Sequence, residues 1–184
     1  MGTRTAIFRE MSNNEFIGVY VQLDGYLEYQ GKILNEYYKN DEIIEVIKNM
    51  RPLSVLGEQP QVMYFEPSDK NAIKKNEKGL PLYTKTNIPN NVPRYEYFKA
   101  NSWEEIRTFD YLTYNENHEV QGFHSQNGFK AIRGSDNNGY IYVQDINGIW
   151  YVSYSKYEGA MSRFRPLKKE IEALSNRRWG IYNT

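Results

Sequence analysis

The sequence predicts an α+β fold, an antiparallel sheet with helices packed on one face. Three observations predict it. Strand-like runs such as Phe16-Ile17-Gly18-Val19-Tyr20 are bounded by turn residues. Apolar stripes of helical period, Ile33-Leu34-Tyr37-Tyr38 and Ile43-Ile44-Val46-Ile47, stand apart from those runs. Near the C-terminus, Asn147-Gly148 separates two segments rich in β-branched and aromatic residues.

The elements follow in order. Thr3 to Arg9 and Phe16 to Leu23 read as a hairpin around Ser12-Asn13-Asn14-Glu15. Asp24-Gly25 ends the second strand, with Gly25 supplying the positive φ of a sharp reversal. A helix begins near Glu28. Asn40-Asp41 is the N-cap signal for a second helix that Pro52 closes. Gln61 to Phe65 reads as a short strand. The segment 66–91 is rich in Lys, Asn and Pro and lacks a period, so a loop or insertion is expected there.

Arg94 to Phe98 alternates as a strand, and Ser102-Trp103-Glu104-Glu105 has the spacing of a capping box for a short helix. Tyr111 to Ile132 is strand-rich in composition without a clear register. Asn147-Gly148 is expected to form a two-residue type I′ turn between Tyr140–Gln144 and Ile149–Ser153. Pro166 suits a first helical position, and Leu167, Ile171 and Leu174 recur at helical spacing, so a C-terminal helix is expected at about 166–176.

A chain of 184 residues fits one domain over 1–184. With 23 basic and 23 acidic residues, the balance speaks against a strongly basic nucleic-acid binder and against an acidic nucleic-acid mimic. The absence of cysteine excludes disulfides, zinc–thiolate sites and thiol nucleophiles. No apolar run reaches signal-peptide or membrane-spanning length, so a soluble protein without membrane contact is expected. Seventeen tyrosines suit half-buried sheets and recognition surfaces alike, because each ring buries apolar area and leaves a hydroxyl for a partner.

Few residues carry chemistry. His118 and His124 share no helical face and no paired carboxylates, and 134–139 lacks the ligand alternation of a calcium loop. No phosphate-binding glycine loop or serine elbow occurs. No catalytic residue, metal or cofactor is therefore assigned. Asp24, Glu28 and Lys32 admit two readings. Asp24 can cap the helix while Glu28 and Lys32 pair at i,i+4. Alternatively Asp24, Tyr26, Glu28 and Tyr29 form a polar aromatic pocket, with Arg4 supplying a cation. Arg163, Arg165, Lys168, Lys169, Arg177 and Arg178, beside Trp179, make a basic, partly aromatic C-terminal region. That composition binds phosphates and stacked bases, and it also occurs on plain amphipathic helices.

Thr3-Arg4-Thr5, the segment from Tyr20 to Lys32 with its Asp24-Gly25-Tyr26 core, Leu53 to Gly57, and the hairpin at Tyr140–Val152 resemble a family of small tailed-phage accessory proteins. In that family the strand before Asp-Gly-Tyr typically reads Tyr-Cys-His-Trp, where this chain has Tyr20, Val21, Gln22 and Leu23. The resemblance implies a phage-encoded protein acting in the cytoplasm of a bacterial host. Loss of the Cys and His on a retained scaffold implies binding rather than catalysis.

The expected function is inhibition of a bacterial antiviral system by protein–protein contact, as in an anti-CRISPR protein, with a host defence protein or ribonucleoprotein as partner. The binding candidates are Arg4, Asp24, Tyr26, Glu28, Tyr29, Arg163, Arg165, Arg177, Arg178 and Trp179. The alternatives are a binder that sequesters a nucleotide signal and a metal-dependent nuclease built on Asp24 and Glu28.

Overall fold

Eight strands and four helical segments are seen in a computed structural model that describes residues 5–66, 68, 73–89, 97–108, 140–154 and 162–174. Strands β1 (Thr5–Ser12) and β2 (Glu15–Val21) form the expected hairpin, with Asn14 at φ 58° in its turn. A π-helical turn at Leu27–Gly31 runs into α1 (Lys32–Tyr37), and α2 (Glu42–Lys48) follows. Next come β3 (Gln59–Tyr64), β4 (Tyr83–Thr86), β5 (Phe98–Ala100) and α3 (Trp103–Thr108). The chain then forms β6 (Tyr140–Gln144), β7 (Trp150–Tyr154), β8 (Arg165–Pro166) and helical residues 167–174.

The main sheet has the order β5-β2-β1-β6-β7-β8. It is antiparallel except at its centre, where β1 and β6 run parallel with Ile7 opposite Tyr142. The expectation of a purely antiparallel sheet is corrected there. The β2 hairpin already occupies one edge of β1, and the long chain between Ser12 and Tyr140 can return in either direction.

Helices cover both faces rather than one. Ile7, Val19, Val21, Tyr142 and Val152 point to the side of α1 and α2, packing with Ile33, Leu34, Ile43, Ile47 and Leu167. Their alternates Phe8, Phe16, Phe98, Ile141 and Val143 pack with Ile106 of α3. Trp103 sits edge-on to Phe16 at 5.4 Å on this second side. The physical reason is that the central strands are apolar at successive residues, so each face needs a cover. Gly18 lets this packing close, because a Cβ there would lie 2.6 Å from Phe8 Cδ1.

Within the segment expected to be a loop, β4 pairs in parallel with β3. Tyr38 ties this small sheet to the helices by donating its buried hydroxyl to the Gly57 carbonyl at 2.7 Å. At the α1–α2 corner, Gln144 donates to the carbonyls of Asn40 and Gly148, at 2.8 and 3.2 Å, and its Oε1 accepts from Arg9. Arg9 also holds the Asp41 carboxylate at 2.9 Å. That diverts the side chain expected to cap α2, which makes no capping bond. The capping box of α3 does form, with Ser102 Oγ accepting the Glu105 amide at 3.0 Å. The Glu105 carboxylate reaches one residue further back than expected, to the Asn101 amide.

The C-terminal hairpin differs from expectation by one residue. Gly148 has φ 88°, while Asn147 stays out of the left-handed region that a type I′ turn demands. The Gly148 amide bonds the Asp145 carbonyl, and the Asp145 amide bonds the Ile149 carbonyl, enclosing a three-residue loop. Tyr140 is therefore opposite Tyr154. The expected two-residue turn would have placed Ile141 there. Among the described residues, no helix is long and apolar enough to cross a membrane. Part of the expected strand at Arg94–Phe98, the region Tyr111–Ile132, both histidines and 134–139 lie outside the described residues.

Candidate functional site

The link between β2 and α1 departs from regular geometry at several adjacent residues. Asp24, and not Gly25 as expected, takes the positive φ, at 60°. Asp tolerates this region better than most side chains because its short polar group can bond locally. Its carbonyl, rather than its carboxylate, serves the turn by accepting the Gln30 amide at 3.2 Å. Burial raises the pKa of the Asp24 carboxyl, and the positive charge of Lys75 partly opposes that rise.

The next turn is wound wide. Gly31 donates to the Tyr26 carbonyl and Lys32 to the Leu27 carbonyl, both i→i+5 bonds, and no side chain caps the turn. Such π-turns are rare and cluster at functional sites. Leu27, Gln30 and Gly31 face inward, which leaves Tyr26 and Tyr29 about two-fifths exposed, at 41% and 38%. Gln30 Oε1 is buried without a hydrogen-bond partner, which costs about 1–3 kcal/mol.

Tyr26 and Tyr29 are the outer end of a continuous strip of rings. Tyr29 meets Tyr26 edge-on at 6.4 Å, and Tyr26 meets Tyr140 edge-on at 6.1 Å. Tyr140 lies 5.9 Å from Tyr154 across the β6–β7 pair. The Arg165 guanidinium then covers Tyr154 at 5.8 Å, and Glu170 holds that arginine in place at 3.4 Å. Beneath the strip, Tyr142 stacks on Tyr140 and donates its buried hydroxyl to the Gly25 carbonyl at 2.7 Å. The strip thus rests on a sheet strand bonded directly to the turn that presents Tyr26.

A groove of about 780 Å³ borders the strip, between the π-turn and the turn at 76–80. Tyr26, Glu28, Tyr29 and Lys32 form one wall, with Lys78 and Leu80 opposite. Asn76 shapes the facing turn by accepting the Lys78 and Leu80 amides on its Oδ1, at 2.9 and 3.0 Å. Lys78 pairs with Glu36 across the groove. Glu28 and Lys32 form no ion pair with one another, contrary to the i,i+4 reading.

The structure therefore brings together Tyr26, Glu28 and Tyr29, and connects them through two strand tyrosines to Arg165. Arg163 is exposed two residues before it. Asp24 is half-buried behind the turn and is not part of the groove lining. Arg4, Arg177, Arg178 and Trp179 lie outside the described residues. Among the described residues, no group of three or more His, Asp or Glu side chains could hold a metal ion, and Asp24 and Glu28 gather no third ligand. Sequence reasoning assigned Tyr140 to the hairpin, ended the second arm at Ser153, one residue short of Tyr154, and missed the place of both tyrosines in the strip. The signal was available in the hairpin register, which sets them opposite one another once the loop is given three residues.

Comparison with protein-family models, curated proteins and solved structures returned no match.

Proposed function

We propose that this chain is a non-catalytic binding protein whose contact face is the tyrosine strip ending at Arg165. The observation that carries the reading is the strip itself: four rings from three separated chain segments, in consecutive contact and closed by an arginine. Tyrosine and arginine are the residues that most often dominate protein interfaces, and a preorganised strip loses little side-chain entropy on binding. The positive φ at Asp24, the π-turn and the unpartnered Gln30 oxygen give further support. Each departs from the most stable local choice, and such departures concentrate where a chain meets its partner.

The resemblance to tailed-phage accessory proteins points to a component of a bacterial antiviral system as the partner, inhibited by occlusion in the cytoplasm of the host. The test pairs affinity purification from bacteria carrying an intact CRISPR–Cas system with plaque counts in the same strains. The wild-type protein should retain a defence component and raise plaque numbers, and Tyr26→Ala/Tyr29→Ala should do neither. Unchanged phage growth across several intact defence systems would sink the proposal.

The arginine over Tyr154 favours a second reading, capture of a nucleotide signal with its base on the tyrosines and its phosphates on Arg163 and Arg165. Calorimetry against cyclic mono- and dinucleotides separates the two readings. Saturable heat that is lost in Arg165→Ala favours the nucleotide, and absence of heat for every member rejects it.

A further inference from the structure

On the face covered by α1 and α2, the helical layer stops short of the sheet edge. Helix α2 has seven residues, a length of about 10 Å at 1.5 Å per residue, and its last residue is Lys48. Beyond it, among the described residues, no helix lies over the β2–β5 pair where Ile17 is opposite Lys99. A cavity of about 440 Å³ occupies this place. That volume lies within the range of small-molecule sites.

The cavity has an apolar floor and a cationic rim. Ile17, Met11 and Tyr97 form that floor; Phe16 and Ala100 also border the cavity, but their side chains belong to the core on the other face. Lys48 and Lys99 line it from opposite sides, the helix end and the edge strand. Among the described residues neither ammonium belongs to an ion pair, and Lys99 lies over the Tyr97 ring at 5.8 Å. The one lining carboxylate, Glu15, accepts a hydrogen bond from the Ser12 hydroxyl at 2.8 Å. Among the described residues, two lysines outside ion pairs against one carboxylate favour a single negative charge over a polyphosphate, and the floor requires an apolar body.

We propose that this cavity binds an amphipathic monoanion, an aromatic or medium-chain carboxylate or sulfonate. Its apolar part lies on Ile17 and Met11, and its acid group lies between Lys48 and Lys99. The site is separate from the tyrosine strip and does not depend on the function proposed for that strip. Lysine suits the role as a compact, mobile charge that can follow ligands of different length.

The probe is 1-anilinonaphthalene-8-sulfonate, with decanoate as competitor and uncharged 1-anilinonaphthalene as control. Trp103 packs on Phe16 and reports occupancy by energy transfer to the naphthalene. The full chain should bind one equivalent saturably and release it to decanoate. Lys48→Ala/Lys99→Ala should retain its melting temperature and weaken the probe by about three- to tenfold, as expected for two solvent-accessible ion pairs. Tyr26→Ala should leave the probe's affinity unchanged. The proposal is overturned by absence of saturable binding, by equal affinity for the uncharged analogue, or by undiminished affinity in the double-lysine variant. Retention of the probe in that variant together with loss in Tyr26→Ala would place the anion on the strip instead.

Discussion

Replacing Tyr142 by Phe removes one oxygen atom and tests whether the strip depends on its foundation. Tyr142 is fully buried, and its hydroxyl donates to the Gly25 carbonyl, one residue before Tyr26. The Phe ring fills the same space and keeps the stacking with Tyr140, so no cavity opens. What is lost is the donor, leaving a carbonyl in the turn without this bond, at a cost of about 1–3 kcal/mol. For a chain of this size each kcal/mol lowers the melting temperature by about 2–4 °C, so a fall of roughly 2–12 °C is expected.

Calorimetry and urea denaturation measure that fall, and the urea slope should stay constant because the exposed surface does not change. Tyr38→Phe is the matched control. It also loses a buried hydroxyl bond, to the Gly57 carbonyl, at a place remote from the strip. Both variants should lose stability, but only Tyr142→Phe should weaken partner binding when measured well below the melting transition. An unchanged melting temperature in Tyr142→Phe would refute the energetic argument. Equal weakening of binding in both variants would refute the structural link between Gly25 and Tyr26.

Tyr26→Ala/Tyr29→Ala should destabilise the fold by about 1–2 kcal/mol per site, since each ring is about three-fifths buried, while lowering affinity by tenfold or more. Binding titration beside a thermal melt checks both halves. Gly57→Ala should destabilise the fold by about 3 kcal/mol or more, because the new Cβ would lie 2.2 Å from the Tyr83 carbonyl carbon and force backbone apart. Urea midpoints would show it. Arg9→Met should cost about 1–3 kcal/mol, since buried Gln144 Oε1 loses its donor, whereas Asp41, with a side chain 77% exposed, returns to water. Asp24→Asn tests the raised carboxyl pKa. Burial disfavours the ionised form, so the native state takes up a proton more readily than the unfolded chain. The resulting stabilisation is present in acid and is lost as pH rises through the folded pKa. Asn also tolerates the positive φ, so the variant should be more stable than the parent at neutral pH, with the advantage fading in acid. An advantage independent of pH would remove burial of the charge as its cause.

Local chemistry was legible wherever a short window decides the outcome. The first hairpin, the apolar stripes of α1 and α2, the Ser102–Glu105 cap and the Leu167 stripe each rest on contacts a few residues apart. The failures share a cause, which is competition from a polar partner outside the expected motif. Asp41 has the chemistry of a cap, but Arg9 offered its carboxylate a charged bond instead. Asn147-Gly148 has the composition of a two-residue turn. The Asp145 carboxylate, accepting the amides of Asn147 and Ile149 at 2.9 Å, stabilises a three-residue loop. Gln144 adds a bond to the Gly148 carbonyl.

The amino-acid order by itself determined the α+β class, most strand and helix positions, and a tyrosine-rich turn after β2, because those depend on period, propensity and capping within single segments. Only the tertiary structure decided the parallel β1–β6 pairing, the placing of helices on both faces, and the union of Tyr26, Tyr29, Tyr140, Tyr154 and Arg165 into one strip. These depend on which segments meet from distant parts of the chain, as Thr5 meets Tyr140 and Tyr26 meets Tyr140. A one-residue change in hairpin register turns every side chain of a strand to its other face, and no local pattern records which register packs best.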